Sequence, residues 1–219
     1  RIAAAAPVSV PDADKKEAAV LTKGRSIISV NAKWRYLAGT DPAGDWADFD
    51  FNDSAWKTGT AGFGYGDKDD RTKLTDMKGN YPRVYIRHVF RFDDKTEDPK
   101  LQLHVNYDDA FIAYLNGHEI ARTNIKSGRG PKAKDISAHE SGKVETFSLT
   151  GAARWLKRGK NVLAIEGHNR SKGSSDFTLD PFLVATSDVP VTSPPLETSQ
   201  PKETLADVLQ PARYSSASR

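Results

Sequence analysis

The chain has 219 residues, enough for one sandwich-type domain of ~150 residues with tails, and its mean hydropathy of −0.60 suits a modest core with polar ends. Its 32 basic and 29 acidic side chains leave a net charge of +3 with the signs interspersed, which speaks against a nucleic-acid partner. The absence of Cys rules out disulfides, thiolate zinc sites and cysteine nucleophiles.

Residues 1–25 are rich in Ala, Lys and Asp and read as an N-terminal arm. The run Ala3 to Ala6 lacks an apolar stretch of signal-peptide length, and fits a leader remnant or the start of a flexible arm. Asp12 to Leu21 can form one short helix, with Gly24 as its stop. No run approaches the ~20 apolar residues of a membrane-spanning helix.

Residues 26–187 hold the strand signals and the four Trp residues. Arg83 to Phe92 alternates, placing Val84, Ile86, His88, Phe90 and Phe92 on one face and Arg87 and Arg91 on the other. Leu101 to Tyr107 alternates in the same way. Ala110 to Leu115 is apolar on both faces and predicts a central strand. Asn116-Gly117 follows at once, a turn in which both residues take positive φ, and His118 to Arg122 returns as the partner strand. Val144 to Leu149, Asn161 to Gly167 and Phe177 to Ala185 supply further strands, and Gly151 to Leu156 suggests a short helix. Many short strands separated by turn residues predict an all-β, antiparallel β-sandwich. From 188 to 219 the chain is rich in Pro and Ser, the composition of a tail or linker.

The ordered segments Trp34 to Leu37, Phe49 to Trp56, Gly59 to Gly66, Gly79 to Arg91, Tyr107 to Asn124, Leu156 to Asn169 and Ser174 to Phe182 carry a family resemblance. Together they resemble the galactose-binding-like jelly-roll modules of secreted bacterial (planctomycete-type) surface proteins, found also beside glycosidases and phosphoesterases. The resemblance implies a non-catalytic module of an exported protein (periplasmic, cell-surface or extracellular), with carbohydrate as the commonest ligand class. It implies no required cofactor and admits a structural calcium ion.

For calcium, the acidic Gly-rich loop Gly62 to Asp70 offers Asp67, Asp69 and Asp70 as oxygen ligands, although its spacing is not that of an EF-hand. The competing reading is a solvated loop whose aspartates cap turns. Ligand contact is assigned to Trp46, Tyr65 and Tyr81, to Asp108 and Asp109 at a strand start, and to His168, Asn169 and Arg170 after a strand end. Trp46, in a Gly/Asp-rich stretch, is expected to be the exposed tryptophan, able to stack on a sugar ring. Asp108 and Asp109 are consecutive, so strand alternation sends their side chains apart and argues against a glycosidase pair. Asp109 and Asp176 equally suit a bland role bonding neighbouring loops. No metal-binding His spacing, nucleophile elbow or P-loop is present. The alternative to a binding module is a structural or assembly subunit that docks onto a protein partner through its arms, with Leu196, Leu205, Val208, Leu209 and Tyr214 as anchors.

Overall fold

The computed structural model describes residues 24–93 and 99–186. The N-terminal helix expected over 12–21 and the tail anchors Leu196, Leu205, Val208, Leu209 and Tyr214 lie outside these residues. In chain order the first strands are β1 (Arg25–Ile28), β2 (Lys33–Ala38), β3 (Lys57–Thr60), β4 (Phe63–Tyr65), β5 (Thr72–Lys73), β6 (Arg83–Phe92) and β7 (Lys100–Asp108). They are followed by β8 (Ala110–Leu115), β9 (His118–Thr123), β10 (Ile125–Ser127), β11 (Lys134–Ile136), β12 (Glu145–Ser148), β13 (Gly159–His168) and β14 (Phe177–Thr186). Among the described residues, helical backbone is confined to two 3-10 turns, Gly130–Lys132 and Ala152–Trp155, the second where the sequence suggested a short helix.

The strands form two six-stranded sheets and a small β10–β11 ribbon. The front sheet runs β12-β7-β14-β4-β5 with β1 also on β14, and the back sheet runs β3-β2-β6-β13-β8-β9. All pairs are antiparallel except β4 with β5. The domain is the antiparallel sandwich that the alternation predicts. β1 and β4 share one side of β14: β4 pairs with residues 177–179 and β1 with residues 183–185. Between those two stretches lies Pro181, which faces Val105 of β7 on the other side.

Period-2 alternation sorts the apolar residues into two layers. Trp34, Phe63, Ile86, Leu103, Phe111, Leu163, Ile165 and Leu179 fill the interior between the sheets. The alternate residues of the back sheet, including Tyr85, Ile112, Tyr114, Val162 and Ala164, face outward yet are buried with Trp46 and Trp56. That second layer explains why Ala110 to Leu115 is apolar on both faces. At the β8–β9 turn Asn116 and Gly117 have φ of 49° and 89°, the two positive values expected of Asn-Gly.

The second layer is roofed by a strap, residues 41–56, which departs from the sequence reading at Arg87. Alternation placed Arg87 on a solvent face, but it is 2% exposed. Its Nε donates to Asp53 Oδ2 at 2.9 Å, and its other nitrogens donate to the backbone carbonyls of Trp46, Asp48 and Phe51. A buried guanidinium needs its fork of donors occupied, and the strap supplies the acceptors.

Candidate functional site

The loops at one end of the sandwich carry most of the candidate residues. β7 ends at Asp108 and the chain re-enters the back sheet at Ala110, so strand alternation does not govern Asp108 and Asp109. Both line one cavity of about 290 Å³ with Glu140, Arg170, Ser174 and Asp176, correcting the expectation that their side chains part to opposite faces. Asp109 is held as a loop clamp: its Oδ1 accepts the His139 N–H at 3.0 Å and its Oδ2 the Arg170 N–H at 2.8 Å. Carboxylate oxygens of Asp108, Glu140 and Asp176 lie within 4.8 Å of one another, a set that can hold a metal ion. Burial first, then the charges of Asp109, Asp176 and Glu140, push the Asp108 carboxyl up to about 7. Behind this cavity, Asn169 Nδ2 donates to the Asp176 carbonyl and to Tyr65 Oη, and the Tyr65 hydroxyl donates to the Ser174 carbonyl.

The 62–70 loop lies against the outer face of the front sheet. Asp67 Oδ2 accepts hydroxyl hydrogen bonds from Ser141 at 2.8 Å and Thr178 at 3.3 Å, and Asp69 is exposed. Asp70 is buried at 8% exposure, and its Oδ1 has no hydrogen-bond partner. Among the described residues the carboxylates that converge are Asp108, Glu140 and Asp176, rather than Asp67, Asp69 and Asp70.

Desolvation, reinforced by Asp69 and Asp67, raises the Asp70 carboxyl from 3.8 to about 7. A raised carboxyl binds its proton more tightly in the folded state. Its ionisation therefore costs stability progressively as pH climbs from about 4 to about 7, with no further loss above. Asp70→Asn is expected to gain on the wild type over that window, on the order of a few kcal/mol by pH 8, with the gap closing near pH 4. Urea unfolding midpoints of both proteins across pH 4 to 8 measure this.

A second cavity, of about 320 Å³, opens beside the strap. Its wall includes Trp46 and Tyr85, its floor Glu166, and its mouth Asp41, Arg129 and Lys132. Trp46 is not the exposed tryptophan expected from its Gly/Asp-rich surroundings: it is 5% exposed, stacked at 6.1 Å on Trp56 and edge-on to Tyr85 and Tyr114. The cause is the Arg87 clamp, which presses the strap onto the sheet. Glu166 is fully buried and accepts hydrogen bonds from Tyr114 Oη and from the Gly130 N–H. His168 is not displayed on a loop either: it closes β13, is 1% exposed, and its Nε2 stands 3.6 Å from Glu166 Oε1. Tyr81 lines a smaller cavity of about 140 Å³ that shares Asp41 with the larger one, and its hydroxyl donates to Asp76.

The candidate residues are thus divided. Asp108, Asp109 and Arg170 share the acidic cavity, Tyr65 and Asn169 brace it, and Trp46 and His168 belong to the aromatic side. Sequence reasoning passed over Glu140, Glu166, Arg129 and Lys132. The apolar neighbours of Glu166 on β13 were the available signal, since a charged residue inside a strand buried on both faces must have a dedicated environment.

No protein-family model matches the sequence, and no curated protein sequence matches it significantly. Among solved structures, a glycosyl hydrolase family 2 member from Bacteroides cellulosilyticus superposes with a TM-score of 0.50 at 12% identity, over 74% of this chain and 21% of that one. What the two share is the fold, a β-sandwich. A calcium-binding mutant of Bacteroides uniformis beta-glucuronidase 2 gives 0.48 at 15% identity over 72% of this chain and 17% of that one. A beta-glucuronidase from an uncultured Clostridium gives 0.45 at 16% identity over 76% and 30%. This chain spans less than a third of each of these proteins.

Proposed function

We propose that this jelly roll is a non-catalytic binding module of an exported protein and that it takes carbohydrate in the cavity beside the strap. The observation that carries the reading is the make-up of that cavity. Pro42 and Pro131, beside the buried Trp46, offer apolar surface to the C–H groups of a sugar, while Asp41, Arg129 and Lys132 offer groups to its hydroxyls. The neighbouring fold belongs to a glycosyl hydrolase of which the jelly roll spans 21%, which fits an accessory role. Occupation of Asp109 by two backbone N–H groups fits a structural role for that carboxylate better than acid–base chemistry.

Affinity electrophoresis and a glycan array spanning neutral and acidic polysaccharides test the proposal. Arg129 and Lys132 are exposed at the mouth. The Arg129→Ala/Lys132→Ala double variant is expected to keep its thermal midpoint and to weaken binding about tenfold, the equivalent of ~1.4 kcal/mol. A clean negative across both sugar classes overturns the reading.

A further inference from the structure

We propose that Asp108, Glu140 and Asp176 hold a divalent cation of the calcium class, which ties the end of β7 to the loops before β12 and β14. The site is independent of the carbohydrate reading. It draws its carboxylates from three separate stretches of chain, and their oxygens converge within 4.8 Å. Three ionised carboxylates gathered that closely repel one another, and a cation among them offsets that repulsion.

The second observation concerns the innermost of the three. Asp108 is 3% exposed and lines the cavity, yet among the described residues no hydrogen-bond donor or cation is paired with its carboxylate. Its neighbours show that the surroundings can supply donors. Asp109 accepts two backbone N–H groups, and Asp67 accepts two hydroxyls. Donors are directed at those carboxylates and none at Asp108. A buried carboxylate without a donor is costly, and a coordinated cation removes that cost.

The wall around the three carboxylates suits a hard, oxygen-seeking ion. Ser171, Ser174 and Ser175 add hydroxyl and carbonyl oxygens, and Arg170 is the only cationic residue in the lining. Calcium accepts about six to eight oxygens in irregular geometry, whereas magnesium demands a near-regular octahedron and keeps its waters. A mixed set from three loops fits calcium better. The second and third ligand loops are already positioned: His139 stacks on Tyr107 at 4.1 Å, the Gly142 N–H donates to Asn106 Oδ1, and the Ser175 hydroxyl donates to Asp176 Oδ1. Glu140 itself is exposed, so an ion has a route in from solvent.

The test uses the full chain stripped with EDTA, titrated with calcium chloride and separately with magnesium chloride, and followed by calorimetry and thermal unfolding. Calcium is expected to bind at one site and to raise the melting temperature, with magnesium at least tenfold weaker. Asp176→Asn and Glu140→Gln, both away from the core, should keep the metal-free circular dichroism spectrum and lose at least tenfold in calcium affinity. The Asp67→Asn/Asp69→Asn double variant should retain the calcium response. Absence of heat and of any thermal shift at millimolar calcium overturns the proposal. So does a calcium response that survives Asp176→Asn and Glu140→Gln, or one that is lost in the Asp67/Asp69 variant, which would move the ion to the 62–70 loop.

Discussion

Replacing Arg87 with Met is expected to cost about 3–5 kcal/mol and to release the strap, the range seen when one partner of a buried ion pair is removed. Met keeps the length and apolar bulk of the side chain, so the loss isolates the donors. Without the guanidinium, the carbonyls of Trp46, Asp48 and Phe51 lose a donor and Asp53 loses its ion-pair partner at 2.9 Å. Each acceptor must then find water or remain unsatisfied, and the roof over Tyr85, Ile112 and Tyr114 lifts. Urea denaturation gives the stability change, and quenching of tryptophan fluorescence by acrylamide reports on Trp46 and Trp56. Unchanged stability with Trp46 still shielded would mean that the aromatic stack alone holds the strap.

Gly64→Ala is expected to be comparably damaging, at about 3 kcal/mol or more, for a different reason. Gly64 lies in β4 opposite Thr178, and a methyl group there would overlap both the Asp70 Oδ1 and the Phe177 carbonyl oxygen. The carboxylate can swing away, but the carbonyl belongs to the neighbouring strand and cannot move without opening the β4–β14 pairing. Overpacking against backbone usually costs ~1–3 kcal/mol and exceeds that where nothing can yield. Thermal unfolding of Gly64→Ala beside Gly79→Ala, where a methyl group meets nothing within 4 Å but the φ of 83° is unfavourable, separates the clash from simple loss of glycine freedom.

The strands were legible because their signals are local. Arg83 to Phe92 alternates over its whole length, and Asn116-Gly117 names its turn by chemistry alone. The burial of Trp46, Arg87 and His168 was not legible, because it depends on the strap folding back over a sheet face already dressed with apolar residues. The apolar doubling of Ala110 to Leu115 announced a cover for that face without saying which segment provides it. At the loop end, Asp108 could be singled out by its position at a strand start. Glu140 could not, since nothing in the stretch from Ser137 to Lys143 distinguishes its carboxylate until the fold carries it to Asp108 and Asp176.

The sharing of one side of β14 by β1 and β4 bears on how this protein behaves at high concentration. A strand with an open flank invites another molecule to add to it, and sheets grow into aggregates by that route. Here, among the described residues, β1 and β4 cover that side of β14 at both ends of a short stretch, and Pro181 within it has no N–H to offer. Asp180 beside it is already bound to Arg71 at 2.7 Å. An incoming strand would find a window too short to zip into and a charge pair across its entrance. The longest strand on the β1 side of the front sheet is thereby kept from acting as a template for its own kind.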